Sequence, residues 1–186
     1  MMRADKGQKY FLDAAINIAK LRSDVKFFLI GGTTSGASKQ FERELAELIK
    51  FNQLEKTIIM TSYRNDIAEF IHLSDFVVVA STGTEAQSRI VPQAFATHKT
   101  VVSTNVGGLT ELVLNEINGL VIPPRDSSSM SKSILRLLDD IMLKNKLEKE
   151  AYAMAKDKLS FENMMKKTLA LYSSLSSKNT NLQRTY

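Results

Sequence analysis

The chain has 186 residues, 44% of them hydrophobic and 24% charged, a size and balance that suit one globular domain with one sizeable core. No cysteine occurs, which excludes disulfides and thiolate metal sites, and the formal charge of +5 comes largely from lysines spread along expected helices, without the interleaved aromatics of a nucleic-acid groove. No apolar run approaches membrane-spanning length and the start, MMRADKGQKYF, lacks the apolar core of a signal peptide, so a cytoplasmic location and no nucleic-acid partner are expected.

In chain order, residues 1–7 read as a chain entered partway through a fold. Phe11, Leu12, Ala15, Ile18 and Ala19 recur at helical spacing and predict a helix over Gln8–Leu21. The run VKFFLI, Val25–Ile30, is almost wholly apolar and stops at Gly31-Gly32, as a parallel strand buried on both faces does. A polar loop, Thr33–Ser38, precedes a helix over Lys39–Phe51 whose inward stripe is Phe41, Leu45, Leu48 and Ile49. TIIM, Thr57–Met60, is the next strand; Asn65–Leu73 is a helix, and DFVVVA, Asp75–Ala80, is a β-branched strand of the kind found at a sheet centre.

The segment Ser81–Glu111 carries the most chemistry. Pro92 is tolerated only in the first turn of a helix, so that helix cannot begin much before Ser88, and Glu85 stays on the loop ahead of it. The amides near Ser88, Arg89 and Ile90 then point out of the helix start, where the backbone favours an anion. Gln93 lies a turn further on. An acid at the mouth, amides behind it and a polar side chain beyond suit a sugar-nucleotide pocket. Thr100–Ser103 and GLVI, Gly119–Ile122, are further strands, the second stopped by Pro123-Pro124. Asp126 or Ser127 caps a helix over Ser128–Met142, and Lys144–Lys156 and Phe161–Leu175 complete the helices. These make one domain, residues 1–175, with a polar tail, 176–186, expected to be disordered.

Strands that alternate with helices give an α/β fold, a doubly wound, mostly parallel, Rossmann-like sheet with helices on both faces. Its ligand belongs at the carboxyl ends of the strands, where the loops 31–38, 61–65, 81–88 and 104–108 converge. GGTTSG lacks the G-x-G-x-x-G spacing, which excludes a dinucleotide. His72 and His98 without paired carboxylates make no metal site. The eight methionines fit helix packing. A receiver-type signalling domain is disfavoured because the strands end in Gly31, Met60, Ala80 and Ser103 rather than in an acidic cluster.

Six stretches in order carry a resemblance: RADKG, a strand ending in Gly-Gly, YRNDIAEFIHLSDFVVVAS, TEAQSRIVPQAFA, STNVGGLTELV and NGLVIPPRD. Together the chain resembles the C-terminal, donor-binding half of a GT-B glycosyltransferase of the retaining group 1 type, from about Arg3 to Asp126. The resemblance implies transfer of a sugar from a UDP-, GDP- or ADP-sugar to a polysaccharide or glycolipid, with no metal and no cofactor beyond that donor. Lys6 matches a lysine on the donor diphosphate. Glu85 matches the first glutamate of an E-x7-E motif and is the catalytic-site contact to the donor sugar. Ser88, Arg89 and Ile90 match backbone positions on the phosphates and sugar. Gln93 replaces the second glutamate, on the ribose. Tyr63 and Arg64 border the base, and Gly107-Gly108 leave room for the donor.

Departures from the family pattern accompany these matches. Gln93 removes a charge but can still accept one hydrogen bond and donate another. His98 and Thr100 stand where the family has glycine and proline. The family also has a strand ending in Gly-Arg at the point where this chain begins, and Arg3 is the candidate substitute for that arginine. The resemblance further implies an N-terminal acceptor domain, through which alone a membrane surface would be met. By itself the chain is expected to bind donor weakly and to transfer nothing. The alternative is a non-catalytic nucleotide-binding or regulatory module of a larger assembly. Each site residue also has a plain reading: Lys6 as a solvated lysine, Glu85 as a loop acid, Arg89 as half of a salt bridge, and the glycines as turn formers.

Overall fold

The computed structural model describes residues 2–32, 36–83 and 85–182. A 3-10 turn, Ala4–Lys6, passes through Gly7 into α1, Gln8–Ala19. Then follow β1 (Phe27–Ile30), α2 (Gly36–Phe51), β2 (Ile58–Thr61), α3 (Ile67–Leu73) and β3 (Val77–Val79). The chain continues through α4 (Ile90–Ala96), β4 (Val101–Thr104), α5 (Leu109–Leu112) and β5 (Gly119–Ile122), and closes with α6 (Ser127–Asp139), α7 (Ile141–Lys158) and α8 (Phe161–Leu182).

Each ladder among the described residues is parallel, as helical crossovers between strands require. The strands form two sheets, β1-β2 and β3-β4-β5. In the first, Phe27 faces Ile58 and Ile30 faces Thr61; in the second, Val77 faces Val101 and Val101 faces Gly119. Leu12, Ile18, Phe27, Leu29, Leu45 and Ile49 pack with Ile134 and Leu137 in one cluster. Val91, Phe95, Val101, Leu109 and Ala151 form another around β4. Burial of such side chains is the main force that fixes the layers.

Helix ends differ from the sequence reading where side chains intervene. The expected helix Ser128–Met142 stops at Asp139, because the Asp140 carboxylate accepts a hydrogen bond from the Leu143 amide at 2.9 Å and starts a new helix. Asp126 caps α6 by the same device, through the Ser129 amide at 2.9 Å. The last helix runs past the expected Leu175 end to Leu182, so 176–182 is helical backbone rather than an irregular tail. The loop expected over Thr33–Ser38 lies partly outside the described residues. His72 is exposed at the end of α3. His98 adopts φ 57°, the backbone region that favours the glycine expected there, and its ring stacks on Tyr152 at 3.6 Å. No described helix is long and apolar enough to cross a membrane.

Candidate functional site

The site begins with a crossing of the chain over itself. The start of the chain passes over the carboxyl ends of both sheets: the Met2 amide donates to the Gly32 carbonyl at 3.0 Å, and the Thr82 amide donates to the Asp5 carbonyl at 2.8 Å. Gly7 permits the approach. It has φ 70°, and a side chain there would overlap the Ala80 carbonyl oxygen. This crossing sets Lys6 above the end of β3.

Lys6 Nζ donates to Glu85 Oε2 at 2.6 Å, and Ser81 Oγ donates to the same oxygen at 2.9 Å. Ser81 is itself buried at the end of β3. Glu85 has only 13% of its side chain exposed, against 34% for Lys6. Burial works to raise the Glu85 pKa, but the hydrogen bonds from Lys6 and Ser81 outweigh it and hold the carboxyl below its ordinary value. An ionised acid and a lysine therefore face one pocket of about 430 Å³, lined also by Gln8, Ser88, Arg89 and Ile90. Ser88 is buried, the Arg89 side chain is exposed, and Ile90 opens α4. With seven residues in α4, the helix dipole is a minor field beside the Lys6 ammonium.

The glycine pair has a more specific role than expected. Gly107 has φ 50°, and a side chain at either glycine would overlap backbone oxygens of the Glu85 loop. The Gly108 amide donates to the Glu85 carbonyl at 2.7 Å. These glycines position the acid, a role that stands beside the expectation that they leave room for a donor.

The structure thus brings together Lys6, Glu85, Ser88, Arg89 and Ile90, backed by Gly107 and Gly108. Other expected site residues lie elsewhere. Arg3 is exposed and forks onto Asp5, with contacts at 2.9 and 2.6 Å. Arg64 is ion-paired with Asp66 and lies over the Phe70 ring at 5.2 Å. Tyr63 is 76% exposed, beside Gly32. Gln93 is exposed, because α4 turns Val91, Ala94 and Phe95 inward. None of these four lines the pocket. Ser81, Gly7 and Gln8 were missed by the sequence reading; a serine directly after an apolar strand and a glycine after Lys6 are the signals that could have found them. No cluster of three or more histidines and carboxylates suited to a metal occurs among the described residues.

Known proteins share this fold. The pattern of the family described as glycosyl transferases group 1 matches residues 1–140. Lipopolysaccharide 1,2-N-acetylglucosaminetransferase of Salmonella typhimurium is 27% identical over 166 residues, 86% of this chain and 43% of that protein. The fold superposes on Anabaena HepE, solved in complex with UDP, with a TM-score of 0.86 and 25% identity over 93% of this chain and 46% of that one. It also superposes on the C-terminal domain of the group 1 glycosyl transferase LpcC from Francisella tularensis, with a TM-score of 0.79 and 27% identity over 86% of this chain and 82% of that one. The chain spans less than half the length of the full-length relatives it matches. With a match over most of its length and a fold shared with a C-terminal domain, the chain belongs to the group 1 glycosyl transferases.

Proposed function

We propose that this chain is the donor-binding half of a retaining glycosyltransferase, and that its Lys6–Glu85 pocket receives a nucleoside-diphosphate sugar. The observation that carries the reading is the ion pair between Lys6 and Glu85, held by Ser81 at the wall of a pocket at the strand ends. Without donor the two charges satisfy each other. A diphosphate takes over Lys6, and Glu85 is released to accept hydrogen bonds from sugar hydroxyls. The Lys6 charge then lies where negative charge develops on the departing diphosphate, which lowers the barrier to sugar transfer. The backbone amides of Ser88–Ile90 add donors on the same side. The reading gives the metal-like role to Lys6, so donor binding is expected to be unaffected by chelators.

Uridine is the favoured base over guanosine or adenosine, since HepE is described with UDP and with UDP-glucose. A polysaccharide or glycolipid acceptor, bound by a second domain, fits the relatives that act on lipopolysaccharide and on diphosphoundecaprenol-linked sugars. The exposure of Gln93 favours a second reading, a nucleotide-binding module without transfer. The two separate on turnover once a complementary acceptor half is supplied.

Titration calorimetry with UDP, GDP, ADP and UDP-glucose tests the proposal. Lys6→Ala should weaken UDP binding by about 1–3 kcal/mol through loss of a charged hydrogen bond. Glu85→Gln should leave UDP nearly unchanged and weaken UDP-glucose. Equal losses for both ligands would remove Glu85 from the sugar subsite, and no heat from any nucleotide at millimolar concentration would sink the reading.

A further inference from the structure

The Glu85 carboxylate is held from two sides, and the two holds differ in how open they are to water. Lys6 Nζ reaches Oε2 at 2.6 Å from a side chain that is 34% exposed. Ser81 Oγ reaches the same oxygen at 2.9 Å from a residue that is 2% exposed. Both hydrogen bonds that the carboxylate accepts from described residues fall on Oε2, and none falls on Oε1. The lysine therefore holds the acid from the mouth of the pocket, and the serine holds it from the wall. A ligand that enters draws off the lysine, while the buried hydroxyl stays where it is.

The backbone around Ser81 is fixed without this bond. Thr104, buried at the end of β4, donates its hydroxyl to the Ser81 carbonyl at 2.7 Å. The next amide, that of Thr82, donates to the Asp5 carbonyl at 2.8 Å, and the Glu85 carbonyl accepts from the Gly108 amide at 2.7 Å. Ser81, Thr82 and Glu85 are thus tied to neighbouring segments by groups other than the Ser81 hydroxyl. That hydroxyl is left with one task, the orientation of the Glu85 carboxylate.

We propose that Ser81 is the positioning residue of the sugar subsite: its hydroxyl keeps Oε2 of Glu85 in place once a donor diphosphate has claimed Lys6, and Oε1 is thereby presented to the sugar hydroxyls. The inference rests on the donor-binding reading above and deepens it. A glutamate side chain has several rotatable bonds, and ordering it on binding costs affinity unless the free protein already holds it. Without the Ser81 hydroxyl, the departure of Lys6 leaves Glu85 free to turn, and that cost falls on recognition of the sugar. The base, ribose and diphosphate do not depend on the carboxylate and are spared it. Ser81 thereby sets how strongly a nucleotide-sugar binds relative to the bare nucleotide.

Titration calorimetry on the 186-residue chain, with UDP and UDP-glucose as probes, tests this through the ratio of the two affinities in wild type, Ser81→Ala, Glu85→Ala and the double variant. Ser81→Ala should lower the ratio of UDP-glucose affinity to UDP affinity about fivefold, as loss of one hydrogen bond to a charged group does. In the Glu85→Ala background the same change should move the ratio by less than about twofold, because the carboxylate through which Ser81 acts is gone. A ratio lowered by Glu85→Ala but untouched by Ser81→Ala overturns the inference and leaves the donor-binding reading standing. So does an equal loss for both ligands or an undiminished effect of Ser81→Ala without Glu85. A Ser81→Ala chain that does not fold overturns it too, since the hydroxyl would then serve the loop rather than the acid. A ratio indifferent to Glu85→Ala removes the acid from the sugar subsite and the inference with it. No heat from either ligand with the wild-type chain overturns the donor-binding reading and the inference together.

Discussion

β4 and β1 are both short, apolar and parallel, yet they live in different surroundings. All four residues of β4 are buried, with β3 on one side and β5 on the other. β1 alternates between buried and open, with Phe28 the most exposed residue of the strand, because only β2 flanks it. The apolar content of FFLI and VVST does not distinguish them. Burial in a sheet is a property of neighbours, and the apolar content of a strand does not say how many it has.

The sharpest way to break that comparison is to remove one aromatic ring from each half. Phe95 on α4 has no exposed surface and packs beneath β4. Phe95→Ala should cost about 3–5 kcal/mol of unfolding free energy, read by urea denaturation. At the crossing between the halves, Gly7→Ala comes next. It combines a left-handed backbone with overlap on the Ala80 carbonyl, so a loss of about 2–4 kcal/mol is expected. The same change should also weaken UDP binding, because Lys6 is carried on that turn. Phe28→Ala, in the half-open strand, should cost only about 1–2 kcal/mol, since much of the ring is already in water. A cost for Phe28 equal to that for Phe95 would mean that the open edge of β1 leaves its ring no less packed than Phe95.

The same contrast explains what the sequence revealed. Periodicity located every strand to within two residues at either end, because apolar runs bounded by glycine, proline or polar residues are local signals. The break expected after Met142 falls instead at Asp140, because Asp139 and Asp140 are adjacent and only the three-dimensional path decides which one caps. α5, four residues after a glycine pair, is too short to have a period. In the site, Lys6 and Glu85 were legible through a family resemblance, but their direct contact was not. It depends on Gly7 meeting Ala80 and on Gly108 bonding Glu85, contacts between residues distant in sequence. Gln93 was placed in the pocket by its spacing from Glu85, whereas the inward face of α4 is decided by Val91, Ala94 and Phe95.

The smallest expected effect again sets one region against the other, through two carboxylates that titrate in opposite senses. Glu85, at the crossing, is held below its ordinary pKa: burial opposes ionisation, but Lys6 and Ser81 prevail. Its contribution is fully present above the ordinary carboxylate range and is lost as pH falls through the lowered folded value. Glu148, on α7 in the half built around β4, is pushed up by burial despite Lys144 and Lys99 nearby. Folding favours its neutral form, so its unfavourable effect is present once pH exceeds the raised folded value and disappears as pH falls through that value. Asp5, Asp24, Asp66 and Glu116 are also lowered by arginine partners, so the whole-chain profile mixes many groups. The difference between wild type and a single variant isolates each one. Melting curves from pH 7 to pH 3 should show the gap between wild type and Glu85→Gln, about 1 kcal/mol or less for a partly exposed pair, closing as the pH drops. For Glu148→Gln the variant should be the more stable at pH 7, and that advantage should vanish in acid. A Glu85 gap that stays constant down to pH 3 would show that Lys6 gains nothing from the ionised partner, and the ion pair would lose its place at the centre of the site.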